Sequence, residues 1–151
     1  MLLGKSFDNI DGATVESLIA NSVAESVHLE FKQETYESTD DGKKEFLKDI
    51  SAFANSSGGH LLIGIEDADG AALAVKPLDS ISVEAQLLRL EQMARTGVEP
   101  NLLGLRMMAV QVDGGAIIVI QVPPSFNPPH RVTYRNTNRY RSEERRGGKE
   151  C

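Results

Sequence analysis

The 151-residue chain has no tryptophan, few aromatic residues and one cysteine, the terminal Cys151. Without Trp, and with only three tyrosines, a broad base-stacking platform is not expected. One cysteine excludes an internal disulfide framework and a Cys-rich zinc site, and fits a reducing cytoplasm. No apolar run approaches membrane-spanning length, so no membrane partner is expected. The opening MLLGKSFDNIDG is too short and polar for a signal sequence. No GxxxxGK[ST] stretch occurs, which removes the phosphate-loop route to nucleotide binding. Charge of one sign is also in short supply. Lys and Arg total 16 against 22 Asp and Glu, a formal net charge of −6. That excludes a uniformly basic binding surface but leaves room for a local basic stripe.

What is present reads as one soluble domain, with 40% hydrophobic and 25% charged residues. Residues 11–22 predict a short helix on Val15, Leu18 and Ile19, capped by Asp11 or Thr14. Residues 27–33 predict a strand, with Val27, Leu29 and Phe31 on one face and His28, Glu30 and Lys32 on the other. Residues 42–56 carry the clearest helical stripe, Phe46, Leu47, Ile50, Phe53 and Ala54, with Asp40 or Asp41 as cap and Gly58-Gly59 as stop. The run from Leu61 to Ile65 predicts a strand buried on both faces, followed by Glu66, Asp67, Asp69 and a glycine turn. A short strand is expected at 71–75 and a helix at 82–96, with Ser82 as cap and Gly97 as stop. Two strands, 103–112 and 116–122, are joined by Asp113-Gly114-Gly115, a hairpin signal. After a proline-rich connection, RVTYR begins a last strand. The class is α+β with a mixed sheet flanked by helices.

Residues 141–151, RSEERRGGKEC, lack hydrophobic periodicity and resemble the translation of a sequencing-library adapter. The expected division is a domain over 1–140 and a non-native tail over 141–151, with the last strand of the sheet cut short; the plain alternative is a charged disordered tail.

Three features carry chemistry. Glu25, Glu30 and Asp67 meet at one rim of the sheet if the strands bearing them are neighbours. Clustered carboxylates are tolerable around a divalent cation such as Mg²⁺ or Mn²⁺, which can activate water or steady a phosphoryl group; the plain alternative is a set of solvated turn residues. Ser57, Gly58 and Gly59 form a loop that either approaches a ligand closely or simply stops a helix. Lys32, Lys43, Lys44 and Lys48, with Arg131, Arg135 and Arg139, supply cations for phosphate contacts, with Tyr134 and Tyr140 interleaved among the arginines. The alternative is a solvated charged face. His60 is a lone histidine, ordinarily a surface residue; His130, after Pro128-Pro129, is a candidate ligand or acid, with a plain loop histidine as the alternative.

The segments ESVHLEFKQ, FLKDISAFANSSGGHLLIGIEDADG and VPPSFNPPHRV, in that order, resemble the Schlafen AlbA-like domain over roughly residues 12–140. The resemblance implies a nucleic-acid-binding role (DNA or structured RNA), as in bacterial members described as DNA-binding or transcription-regulator domains. Some relatives carry ATP-binding labels. In the nuclease branch, three acidic residues cut structured RNA with a divalent metal; by motif these correspond to Glu25, Glu30 and Asp67. That branch uses two lobes, whereas this chain supplies one; a homodimer is one way to replace the pair, though the sequence carries no sign of one. The readings carried forward are a phosphate-gripping binding module, a metal-dependent ribonuclease and an ATP-binding module.

Overall fold

The computed structural model describes Leu2, residues 4–125 and residues 129–133. At the centre lies β2 (Gly59–Ile63), parallel to β1 (Leu29–Lys32) and antiparallel to β7 (Gly115–Val122). β7 forms a hairpin with β6 (Arg106–Val112), so the sheet order is β1-β2-β7-β6. Leu61, Leu62 and Ile63 are fully buried, as their unbroken apolar run predicts. On one face Leu61, Ile63, Ile118 and Ile120 pack against α2 (Asp40–Ala54) and α3 (Val83–Gly97) through Phe46, Leu47, Ile50 and Leu90. On the other, Leu62, Ile117 and Val119 meet Val15 and Leu18 of α1 (Gly12–Ala20), together with Leu2, Phe7 and Ile10 ahead of it. The fold is α+β, with three helices around a mixed four-stranded sheet.

Most predicted elements are found, and the differences have local causes. The central strand ends at Ile63, not Ile65, because Gly64 adopts φ +114°, a conformation open to glycine. A Cβ on Gly64 would also sit 2.8 Å from Ile117 Cγ2. The chain turns there into a separate hairpin of β3 (Ile65–Ala68) and β4 (Ala71–Val75). Asp69 and Gly70 form its two-residue turn, with φ +52° and +86°, the left-handed pair such turns need. The first strand is shorter than 27–33: Ser26 and Leu29 exchange backbone bonds, and Val27 lies outside at 75% exposure.

α1 is capped as expected, with Asp11 and Thr14 bonding reciprocally. For α2 the cap is Thr39, whose Oγ1 accepts the Gly42 N–H at 3.1 Å. Asp40 and Asp41, the expected caps, stand in the first turn, where their charge still favours the helix dipole. Ser82 precedes α3 without a side-chain bond. The start of the predicted last strand appears as β8 (Arg131–Val132), paired with β5 (Val98–Glu99) in a small separate sheet. Residues 134–151, including Arg135, Arg139 and the adapter-like tail, lie outside the described residues. Among the described residues, no helix is long and apolar enough to cross a membrane.

Replacing the unpredicted cap tests this account. Thr39→Ala is expected to lower unfolding stability by about 1 kcal/mol, read as a shift of the urea midpoint at unchanged slope. Asp40→Asn and Asp41→Asn are expected to cost less.

Candidate nucleic-acid interface

The site is built on the outer edge of β1. In a parallel pair every second residue turns its backbone groups away from its neighbour, and at an edge these need other partners. At Leu29 the partner is Ser26, in both directions. At Phe31 it is a side chain: the N–H donates to Glu25 Oε2 at 2.8 Å. Glu25 therefore guards the sheet edge, and this fixes its position beside Glu30.

Glu30 projects from β1 toward α2. Burial raises its pKa, Asp49 and Glu25 add to the rise, and Lys32 opposes it. Asp49 is also raised, first by burial and then by Glu45, while the Tyr36 bond and Lys32 oppose. Tyr36 O–H donates to Asp49 Oδ2 at 2.5 Å. Lys32 pairs with Glu45, stands 4.0 Å from Asp49 and lies over the Tyr36 ring at 4.9 Å. Its ammonium stays above its usual pKa: burial works against the charge, but the Glu45 bond and the Glu45, Asp49 and Glu30 charges outweigh it. Lys32 thus neutralises carboxylates of this protein, which sets it apart from a cation kept for phosphate.

Glu25, Glu30 and Asp49 line one open groove of about 420 Å³ between the β1 edge and the C-terminal half of α2, with Val27, Leu29 and Phe53 as its apolar part. Asp67 reaches the same rim through the β3–β4 turn. Glu25 N–H donates to the Gly70 carbonyl at 2.7 Å, and Gly70 N–H donates to Asp67 Oδ2 at 2.9 Å. The Asp67 carboxylate is turned into its own hairpin turn as a result. Among the described residues, no group of three His, Cys, Asp or Glu is arranged to hold a metal ion. Glu25, Glu30 and Asp67 share a rim, but two of the three are engaged by backbone N–H groups, so they do not form a ready Mg²⁺ or Mn²⁺ set.

The cations stand elsewhere. Lys43, Lys44 and Lys48 lie on α2, with Lys48 the most exposed. Arg131, also exposed, is brought to the C-terminal end of α2 by a clasp. His130 N–H donates to Asn55 Oδ1 at 2.6 Å, and Asn55 Nδ2 donates to the His130 carbonyl at 2.9 Å. The His130 ring is buried at 4% exposure, bonded to Ser125 Oγ and the Pro100 carbonyl. His130 keeps the loop position expected of it, just ahead of β8, but its buried ring makes it a structural pin. His60 is likewise buried, within the sheet.

Residues 25–150 match the Schlafen, AlbA_2 family. This chain belongs to that family. No curated protein matches it. Among solved structures, the N-terminal domain of a RecG-related protein from Nitrosomonas europaea is similar, with 22% identity, TM-score 0.50 and coverage of 72% of this chain and 71% of that one. The DIP2311 protein from Corynebacterium diphtheriae has 22% identity and TM-score 0.48 over 80% of this chain, which spans 23% of that longer protein. At these identities the likeness is one of fold.

In this AlbA_2 domain the Gly58-Gly59 pair has an internal explanation. Gly58, at φ +81°, donates its N–H to the Phe53 carbonyl at 2.8 Å and ends α2. A Cβ on Gly59 would lie 2.4 Å from the Phe53 ring and 2.7 Å from the His28 carbonyl. Ser57, Gly58 and Gly59 do line an open pocket of about 400 Å³ with His60, Gln121 and Pro123, and among the described residues no Lys, Arg, Asp or Glu lines it. Asp49 is the groove residue that the sequence reading passed over. It lies four residues beyond Glu45 on α2, a spacing that puts both on one helix face, though nothing in the spacing identifies β1 as that face's neighbour.

The raised pKa of Glu30 gives a signed prediction. An acid whose folded pKa lies above its unfolded value favours folding when protonated, and that contribution is lost as pH rises through the folded pKa. Glu30→Gln is therefore expected to stabilise the domain at neutral pH, by on the order of half a kcal/mol after solvent screening. The gain should vanish at pH values below the ordinary Glu range. Paired urea melts across that range measure it; a destabilised Glu30→Gln at neutral pH would contradict the assigned cause.

Proposed function

We propose that this AlbA_2 domain is a nucleic-acid-binding module that grips phosphates along the outer face of α2 and its C-terminal end. The observation that carries the reading is the Asn55/His130 clasp. It sets Arg131 at the end of the helix that bears Lys43, Lys44 and Lys48. Fifteen residues of helix extend about 22 Å, enough to follow several phosphates of a strand. The net charge of −6 makes this segregation essential: the carboxylate groove repels a backbone, so contact runs along its cationic border. Family membership supports the same reading, including a place within a bacterial transcription regulator. The RecG-related neighbour agrees in fold only.

Fluorescence anisotropy with labelled single-stranded DNA, duplex DNA and structured RNA, across a salt series, tests it. The protein should bind more weakly as salt rises, with little sequence preference. Lys48→Glu and Arg131→Glu should each weaken binding several-fold, and each neutralised contact should flatten the log–log salt slope by about one. Lys32→Met should leave that slope unchanged, because Lys32 serves Glu45 and Asp49. Absence of salt-sensitive binding to all three probes would overturn the reading.

A second reading, divalent-metal-dependent RNA cleavage, is favoured by one observation: Glu25 and Glu30 open into the same groove as Asp49. The carboxylates as arranged do not fit a metal, so the reading requires Glu25 or Asp67 to leave its backbone partner. Incubation of structured RNA with Mn²⁺ or Mg²⁺ separates the two readings. Metal-dependent cleavage lost in Glu30→Gln, a variant expected to remain folded, would establish the second; intact RNA would remove it. The ATP-binding reading rests on family labels, and the uncharged lining of the Gly58-Gly59 pocket weighs against a triphosphate. Failure of a labelled ATP analogue to saturate the protein would dismiss it.

A further inference from the structure

Leu2 and residues 4–10 form an N-terminal strap on the sheet face opposite α2 and α3, where Leu2, Phe7 and Ile10 are buried with Leu29 and Leu62. Its backbone bonds are internal: Leu2 and Lys5 exchange a pair at 3.0 and 2.9 Å, Asn9 N–H reaches Ser6 and Ile10 N–H reaches Phe7. Among the described residues, no main-chain hydrogen bond joins the strap to the sheet. Side chains hold it. Besides the three apolar residues, Arg106 of β6 pairs with Asp8 and lies 4.5 Å from the centre of the Phe7 ring.

His60 is on that same face. It alternates with Leu62 along β2, its register partners are Leu29 and Gln121, and Gln121 in turn faces Arg106. The residue is 6% exposed, and Nε2 is sealed from solvent with no hydrogen-bond partner among the described residues. A neutral imidazole tolerates this position. An imidazolium there would bury a charged N–H without an acceptor, so it must be hydrated or deprotonated.

We propose that the strap is an acid-responsive lid: protonation of His60 lifts it from the sheet while the strands and helices remain folded. β1 and β7 flank His60 through ladder bonds, and moving either breaks main-chain pairing. Lifting the strap breaks none. An open pocket lined by His60 itself with Gly58, Gly59 and Gln121 borders this end of β2. Burial lowers the His60 pKa to about 4, which is the same preference seen from the closed state. The N-terminal ammonium adds to the lowering of the His60 pKa; the strap also carries Lys5 and Asp8, and Arg106 of β6 pairs with Asp8. His28, just ahead of β1, is engaged with the Gly58 carbonyl, and the α1 cap Asp11 has its pKa lowered by the Thr14 bonds. Asp8 is the competing trigger, because its protonation would release Arg106.

Hydrogen–deuterium exchange on the full chain, corrected for intrinsic rates, at about pH 7 and about pH 5, reads the lid directly. Linkage between an open-state imidazole near 6.5 and the closed-state value predicts roughly tenfold or more loss of strap protection at about pH 5, with β7 protection retained. His60→Leu should abolish the loss, and Asp8→Asn should keep it. Unchanged strap protection in the parent, persistence of the loss in His60→Leu, or its disappearance in Asp8→Asn would each overturn the proposal. If His60→Leu does not fold, NMR titration of the parent replaces it: the His60 ring and the strap amides must titrate with one midpoint, and separate midpoints refute the lid.

Discussion

Burial of β2 on both faces is the constraint from which the rest of the structure follows. Leu61 and Ile63 need a cover on one side and Leu62 on the other, so the domain must have two apolar layers, one on each face of a single sheet. β7 meets the same demand with five consecutive buried residues, Ala116 to Ile120. Fully burying each such aliphatic side chain contributes about 1.5–3 kcal/mol relative to exposure. α2 and α3 supply the first cover. α1 and the N-terminal strap supply the second, and both of these precede the stretch that matches the family.

The first cover also creates the groove. Packing Phe46, Leu47, Ile50 and Phe53 against the sheet fixes the rotation of α2. Asp49 is then directed at the polar face of β1, where Glu30 and Lys32 project. Burial first, and neighbouring carboxylates after it, raise the pKa of Glu30 and of Asp49, and Lys32 is held among them, an arrangement the core does not require. Groups that a fold would be more stable without are a mark of a functional surface, though structural ion-pair networks also perturb titration. Lys43, Lys44 and Lys48 of α2, with Arg131 clasped beside its C-terminal end, carry the positive charge that the proposed interface uses.

The two sheet edges and the two faces are secured differently. The β1 edge is closed by Ser26 and the Glu25 carboxylate, so Glu25 has a structural duty whatever else it does. The α2 face is locked by ladder-like clasps, such as Asn55 on the His130 backbone. The opposite face is closed by the side chains of α1 and the strap, and His60, whose Nε2 has no hydrogen-bond partner among the described residues, lies on that face. Rigidity is thus unevenly distributed, with the strap at the weakly held end.

The sequence by itself determined the elements and the class. Unbroken apolar runs set the buried strands, a 3.6-residue stripe set α2, and Asp113-Gly114 set the main hairpin, because each signal is local and repeats within a few residues. The ordered AlbA-like motifs likewise identified the family. Tertiary structure decided which polar groups meet. Thr39 became the cap because of how the chain enters α2 past Glu37. Glu25 turned to the Phe31 N–H because β1 is an edge, and Asp49 joined the groove because of the angle at which a helix seats on a sheet. His60 and His130 became interior residues for the same kind of reason. A side chain's partner across the fold is fixed by packing between segments distant in sequence, and no local spacing carries that information.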